Sequence, residues 1–196
     1  MIRTTLFRDG NWYKGNTHLH TTRSDGEKTP AEAVDLYRAA GYDFLAITDH
    51  ERWADVSGLG DDRFLVLPGA EVGTVWEGAT HHIVGLARPG AKLPENFAVP
   101  RERRANVHPQ AVVDYLHEVG ALAIYAHPFW SYCDFQLLAS LKGLTAMEIC
   151  NFSCEQEWKT GIAETRTLQI SASILHNAPL RTAPLATSRC QTPFDS

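Results

Sequence analysis

The strongest constraint on the fold is a series of short apolar runs, each too brief to be a helix. Phe44-Leu45-Ala46-Ile47-Thr48, Phe64-Leu65-Val66-Leu67, His82-Ile83-Val84-Gly85-Leu86 and Ala121 to Ala126 are the clearest. Runs of this length without polar alternation read as strands buried on both faces. An opening strand is expected near Tyr13 to His18, and a last one over Thr145 to Cys150. Helical patterns lie among them. Thr29 can cap a helix, Pro30 suits its first position, Glu32 completes a capping box and Gly41 sits where it should stop. A second helix begins near Pro109. Val112, Leu116 and Val119 share one of its faces, and Gly120 ends it. A helical stretch around Phe135 to Leu141 precedes the last strand. Strands alternating with helices imply parallel pairing, in either an α/β barrel or an open sheet.

A chain of 196 residues can bury the core of one mid-sized domain. Its net charge of −5 argues against a dedicated binder of duplex DNA, which would usually be basic. No apolar run approaches the roughly 18 residues of a membrane span. Met1 to Gly10 lacks the apolar core of a secretory signal. Cys133, Cys150, Cys154 and Cys190 form no C-x-x-C pair, so a reducing cytoplasm is expected. From about Thr160 to Ser196 the chain turns rich in Thr, Ser, Ala and Pro and loses its period. This tail is expected to be irregular.

The chemistry lies in where the nine histidines and certain acids fall. His18 and His20 are two apart at the end of the first strand, so both rings leave one face. Asp25 follows in a turn-like Ser24-Asp25-Gly26. Asp49-His50 ends the second strand, Glu71 lies just beyond the third, His81-His82 opens the fourth and His127-Pro128 ends the strand Ala121 to Ala126. The carboxyl ends of parallel strands share one rim, where active sites sit. His82 departs from this rule because it precedes its strand, and its direction is left open. Neutral imidazoles with carboxylates suit Zn, Mn or Fe better than Ca or Mg. So many donors exceed the needs of one tetrahedral ion; two or three ions sharing carboxylates would use them.

Taken in order, Thr17-His18-Leu19-His20, Ser24-Asp25-Gly26, Ile47-Thr48-Asp49-His50, Gly69-Ala70-Glu71, His82 and Ala126-His127-Pro128 resemble the PHP (polymerase and histidinol phosphatase) superfamily. The resemblance covers about residues 13–155. It implies a distorted (β/α)7 barrel with a trinuclear metal site and hydrolysis of phosphate esters by a metal-activated water. By motif match, His18, His20, Asp25, His50, Glu71, His82 and His127 would be metal ligands, with Glu71 bridging. His81 is not carried over, because the family places its ligand immediately before the apolar strand. Glu71, His127 and Asp49 would be the catalytic residues. Asp49 would either orient His50 or stabilise a turn. Family members usually close with a D-x-H pair, and no Asp-x-His follows His127 here. The expected division is therefore a hydrolase domain over 1–159, its barrel incomplete at the C-terminus, followed by a tail over 160–196 outside the family's character.

The substrate class implied is a small phosphorylated metabolite, a nucleotide or an oligonucleotide, with nucleic acid not favoured. Two other readings compete. One is an amidohydrolase-type metal hydrolase, which also opens with H-x-H but usually carries a bridging lysine; Lys14, Lys28, Lys92, Lys142 and Lys159 fall elsewhere. The other is a truncated metal-binding fragment without turnover. Trp53, Trp76 and Trp130 follow strand ends and could wall a pocket for an aromatic group, although rim packing explains them as well. Arg101, Arg103 and Arg104 read as a solvated loop. His108 is expected at a helix start, and His117 on an exposed face. Cys150 and Cys154 are expected to fill small spaces in the core.

Overall fold

The computed structural model describes residues 11–94, 105–148 and 151. The expectations for the first ten residues, for the arginine run at 101–104, for Cys150, Cys154 and Cys190, for the boundary at 159 and for the tail lie outside the described residues.

The elements run β1 (Gly15–Asn16), α1 (Pro30–Ala39), β2 (Phe44–Ile47), β3 (Leu65–Trp76), β4 (Ala79–Ala87), α2 (Pro109–Glu118), β5 (Ala121–Tyr125), α3 (Phe135–Ser140) and β6 (Ala146–Met147). The helix signals act as expected. Thr29 accepts from Glu32 N while the Glu32 side chain reaches back to the cap, and Pro30 opens α1. The His108 ring accepts from Gln110 N at 3.1 Å and caps α2.

The strands form one sheet in the order β1-β2-β3-β4-β5-β6. β1, β2 and β3 pair in parallel, as do β5 and β6. β4 runs against both of its neighbours, which corrects the expectation of parallel pairing throughout. The cause is local. β3 does not stop near Leu67 but continues to Trp76 through β-branched Val72, Thr74 and Val75. Glu77 and Gly78 then take φ of 49° and 80°, the left-handed pair that closes a two-residue hairpin. No helix separates β2 from β3, or β3 from β4. The described residues therefore form a mixed, curled α/β sheet rather than a complete alternating barrel.

Side chains alternate between two layers. Leu45 and Ile47 pack outward with Ala33 and Val34 of α1. Ile83, Ala123 and Tyr125 pack outward with Val112, Val113 and Leu116 of α2. Ala46, Val84, Leu122, Ile124 and Ala126 point the other way and form an inner cluster, with Leu67 against it. Directly after the two edge strands, His18 Nδ1 meets Glu148 Oε1 at 2.7 Å, so the sheet curls until its first and last strands meet at their carboxyl ends.

Candidate metal centre

The inner cluster is the floor of the site, and alternation raises the donors above it. Ala46 shares its face with His50, Leu67 with Glu71, and Val84 with His82. Because β4 is antiparallel, its amino-terminal half reaches the rim that the other strands reach with their carboxyl ends. Gly73 opposes His82 in that pairing. This settles the direction of His82. His81, one residue earlier, points outward, where it is 2% exposed and its Nδ1 meets Tyr125 Oη. His127 would also point outward by alternation from Tyr125. Its φ of 27° turns the chain instead and brings the ring to Glu71.

Glu71 is the centre and has no exposed surface. Its Oε1 lies 2.9 Å from His127 Nε2, 3.1 Å from His82 Nδ1 and 3.4 Å from His18 Nε2. Its Oε2 lies 2.9 Å from His20 Nε2 and 3.0 Å from His50 Nδ1. Asp25 stands on the outer side, 2.5 Å from His20 Nδ1 and 3.4 Å from His50 Nε2. Among the described residues, two sets of donors have the geometry to hold an ion each: His18, Glu71 and His127, and His20, His50 and Glu71. Glu71 belongs to both.

The donor set fits metal ions better than it fits hydrogen bonding alone. Donor atoms on a tetrahedral ion with bonds near 2.05 Å stand roughly 3.3 Å apart. Within the two sets the ring nitrogens stand 2.9–3.4 Å from the Glu71 oxygens, and between the sets His18 Nε2 and His20 Nε2 face each other at 3.0 Å. Between two ring nitrogens at most one proton fits, so a lone pair faces the shared space. Glu71 Oε2 is buried, yet the two rings beside it direct no hydrogen bond at it.

The electrostatics follow from this crowding. Burial pulls His18 down, but the carboxylates of Glu148 and Glu71 outweigh it and hold its pKa well above the ordinary value. Burial pushes Glu71 up, but His18 and the close rings of His127 and His20 hold it far below the usual carboxylate range. Burial lowers His50. Glu148 is held low, since His18 outweighs the burial that would raise it.

Asp49 is fully buried and its carboxylate does not bond His50. Its Oδ1 accepts from Thr21 N at 2.7 Å and Ser24 Oγ at 2.8 Å, and its Oδ2 accepts from Thr21 Oγ1 at 2.7 Å. It thereby pins the loop that presents Asp25. Trp130 stacks on His82 with ring centroids 5.5 Å apart and a 21° tilt. Trp53 packs on the outer core, and Trp76 lies edge-on to His108. Glu148 is the site residue that the sequence did not single out. The available signal was its place two residues before Cys150 at the end of an expected strand, matching the other rim positions.

No protein-family model matches the chain. Among curated proteins, a 5'-3' exoribonuclease of Haemophilus influenzae is 36% identical over 77 residues, which is 37% of this chain and 28% of that protein. A 5'-3' exoribonuclease of Escherichia coli is 39% identical over 75 residues, 35% of this chain and 26% of that protein. A 3',5'-nucleoside bisphosphate phosphatase of Chromobacterium violaceum is 38% identical over 73 residues, again 35% and 26%. The chain thus matches little more than a quarter of these relatives' lengths. Among solved structures, one from Bifidobacterium adolescentis assigned as a metal-dependent phosphoesterase aligns with a TM-score of 0.55 at 15% identity, over 71% of this chain and 78% of that one. An amidohydrolase from Chromobacterium violaceum aligns with a TM-score of 0.55 at 16% identity, over 76% and 81%. These two likenesses establish a shared fold.

Proposed function

We propose that this chain is a metal-dependent phosphoester hydrolase of the PHP type. The observation that carries the reading is Glu71, a wholly buried carboxylate with a separate set of imidazoles on each oxygen. His18 and His127 would hold one ion with Glu71. His20 and His50 would hold another, and Asp25 extends that side toward a third position. His82 adds a donor beside Glu71 Oε1. Zn, Mn and Fe match this donor chemistry. Such ions supply Lewis acidity toward a phosphoryl oxygen and bring the pKa of a water close to neutrality.

The chain's own residues do the rest. Glu71 fixes the spacing between the two donor sets. His127, held by its backbone turn, presents Nε2 to the centre. Asp49 holds the loop from Thr21 to Ser24 so that Asp25 faces His20 and His50. Trp130 stacks on His82 and restricts how far that ring can tilt. Of the lysines, Lys14 extends over the Tyr42 ring and bonds Ala40 O, so it is not the bridging lysine of an amidohydrolase. The partial relatives named as an exoribonuclease and a nucleoside bisphosphate phosphatase favour a phosphate ester carried on a nucleotide as substrate. A cytoplasmic location is proposed on the cysteine pattern alone. No helix of the described residues is long and apolar enough to cross a membrane.

The test is hydrolysis by the purified chain, with metal content measured on the same sample. Phosphomonoesters, phosphodiesters, a nucleoside bisphosphate and amides are compared with and without Mn. The reading expects at least one bound metal equivalent and chelator-sensitive release of phosphate. A metal-free protein, or turnover of amides alone, contradicts it.

A further inference from the structure

We infer that Glu148 is a positioning residue for one of the two donor sets, the one made by His18, Glu71 and His127. The inference rests on the metal-centre reading above. Glu148 follows β6 and its side chain is 13% exposed. It makes two contacts to the same donor set through different oxygens. Oε1 lies 2.7 Å from His18 Nδ1. Oε2 accepts the main-chain N–H of His127 at 2.9 Å, and Asn151 Nδ2 at 3.1 Å.

Each contact does separate work. A carboxylate at Nδ1 selects the His18 tautomer with the proton on that nitrogen. Nε2 then keeps its lone pair and faces Glu71 and the shared space. The second contact bears on backbone. His127 precedes Pro128, which favours extended backbone, yet it sits at φ 27°. Such a conformation persists when its surroundings over-determine it. The Glu148 bond to its N–H and the Ser131 N–H bond to its carbonyl at 3.2 Å are two such restraints. The second donor set, His20 and His50, touches Asp25, Glu71 and, through His20, the His18 ring, and makes no direct contact with Glu148.

Selectivity is therefore the expected signature. Glutamine has one acceptor oxygen where Glu148 uses two, so Glu148→Gln must leave either His18 or the His127 N–H facing an amide NH2. Metal binding by the full chain is measured with Mn by calorimetry. Glu148→Gln should weaken one of two binding events about 10–100-fold, the range for partners behind a metal ligand, and leave the other within about twofold. Nitrogen-15 spectra of the metal-free histidines read the tautomer directly. Recorded at a pH alkaline enough for the His18 ring to be neutral, they should show its proton on Nδ1 in the unaltered chain and a mixture in the variant. Thermal melts of the metal-free proteins verify folding, and Glu148→Asp, whose arm is shorter by one methylene, is read the same way if the glutamine variant fails to fold. Both events unchanged, both weakened equally, or an unchanged His18 tautomer would overturn the inference while leaving the metal centre intact. A wild-type chain that takes up no metal would overturn the metal centre itself, and this inference with it.

Discussion

Glu71 does what no other described residue does, which is to face five imidazoles at once from a buried position. Glu71→Gln keeps the shape but removes the charge and one acceptor. It should lower phosphoesterase activity by more than about 100-fold, and both metal equivalents should be lost on dialysis. A pH effect follows at the same scale. In the metal-free chain, His18 has a pKa raised above 6.5 by its carboxylate partners. Its contribution to stability is complete below 6.5 and fades as pH rises through the raised value. Glu71 and Glu148 run the other way from an ordinary 4.5, and their contribution is lost only as pH falls toward their lowered values. These three contributions are complete together between 4.5 and 6.5, and His50 and His81, lowered by burial, destabilise the fold as pH falls below 6.5, so the metal-free chain should melt highest near the upper end of that window. Metals need neutral imidazoles, so Mn should raise the melting temperature more at about pH 8 than at about pH 5.5. A melting curve series with and without Mn checks both statements.

Most of the site's residues were readable as single letters at strand ends, because alternation and strand direction follow from apolar runs. His18, His20, Asp25, His50, Glu71, His82 and His127 do converge in space. Glu148 was not readable, because a Glu near a strand end usually faces water, and its partner His18 is 130 positions away. The choice between two roles for Asp49 was equally closed to sequence, since three hydrogen bonds to Thr21 and Ser24 depend on tertiary placement.

Elements set how accurately those donors are held. The hairpin from β3 to β4 was hidden in the sequence by Glu77-Gly78, a weaker turn signal than Asn-Gly, and this is why the strands were expected to run parallel. Without that reversal His82 would lie at the far end of the sheet. The loop from Thr21 to Gly26 is the second device. A methyl on Gly26 would come within 2.2 Å of the His20 carbonyl oxygen, which is backbone and cannot step aside. Gly26→Ala should therefore displace Asp25 and reduce activity about 10-fold or more while the far sheet, β4 and β5, stays folded. Hydrogen exchange would localise the change. Asp49→Ala acts on the same loop from below by leaving buried donors of Thr21 unpaired. A loss of about 3 kcal/mol in urea unfolding is expected. A loss near zero would mean that Asp49 does not support the loop.

At the scale of the whole molecule, the curled sheet brings its two edges together at the site, where His18 and Glu148 meet. α1 and α2 cover the outer face with separate apolar clusters, and the inner cluster lies under the donors. The alternation of strands and helices was legible for α1, α2 and α3, each of which has a cap or stop residue. Closure was not, because β1 and β6 are only two residues long and carry almost no pattern. If ions hold the donors together, they also hold the edges together. A ligand at 100 times its dissociation constant adds about 2.7 kcal/mol to stability. Chelation should accordingly lower the melting temperature, and added Mn should restore it.

The most direct test of the centre is anomalous diffraction from crystals of the chain grown with Mn. Two peaks about 3.5–4 Å apart, on either side of the Glu71 carboxylate, are the predicted result. A map with no peak within bonding distance of Glu71, His18 or His20 would contradict the account.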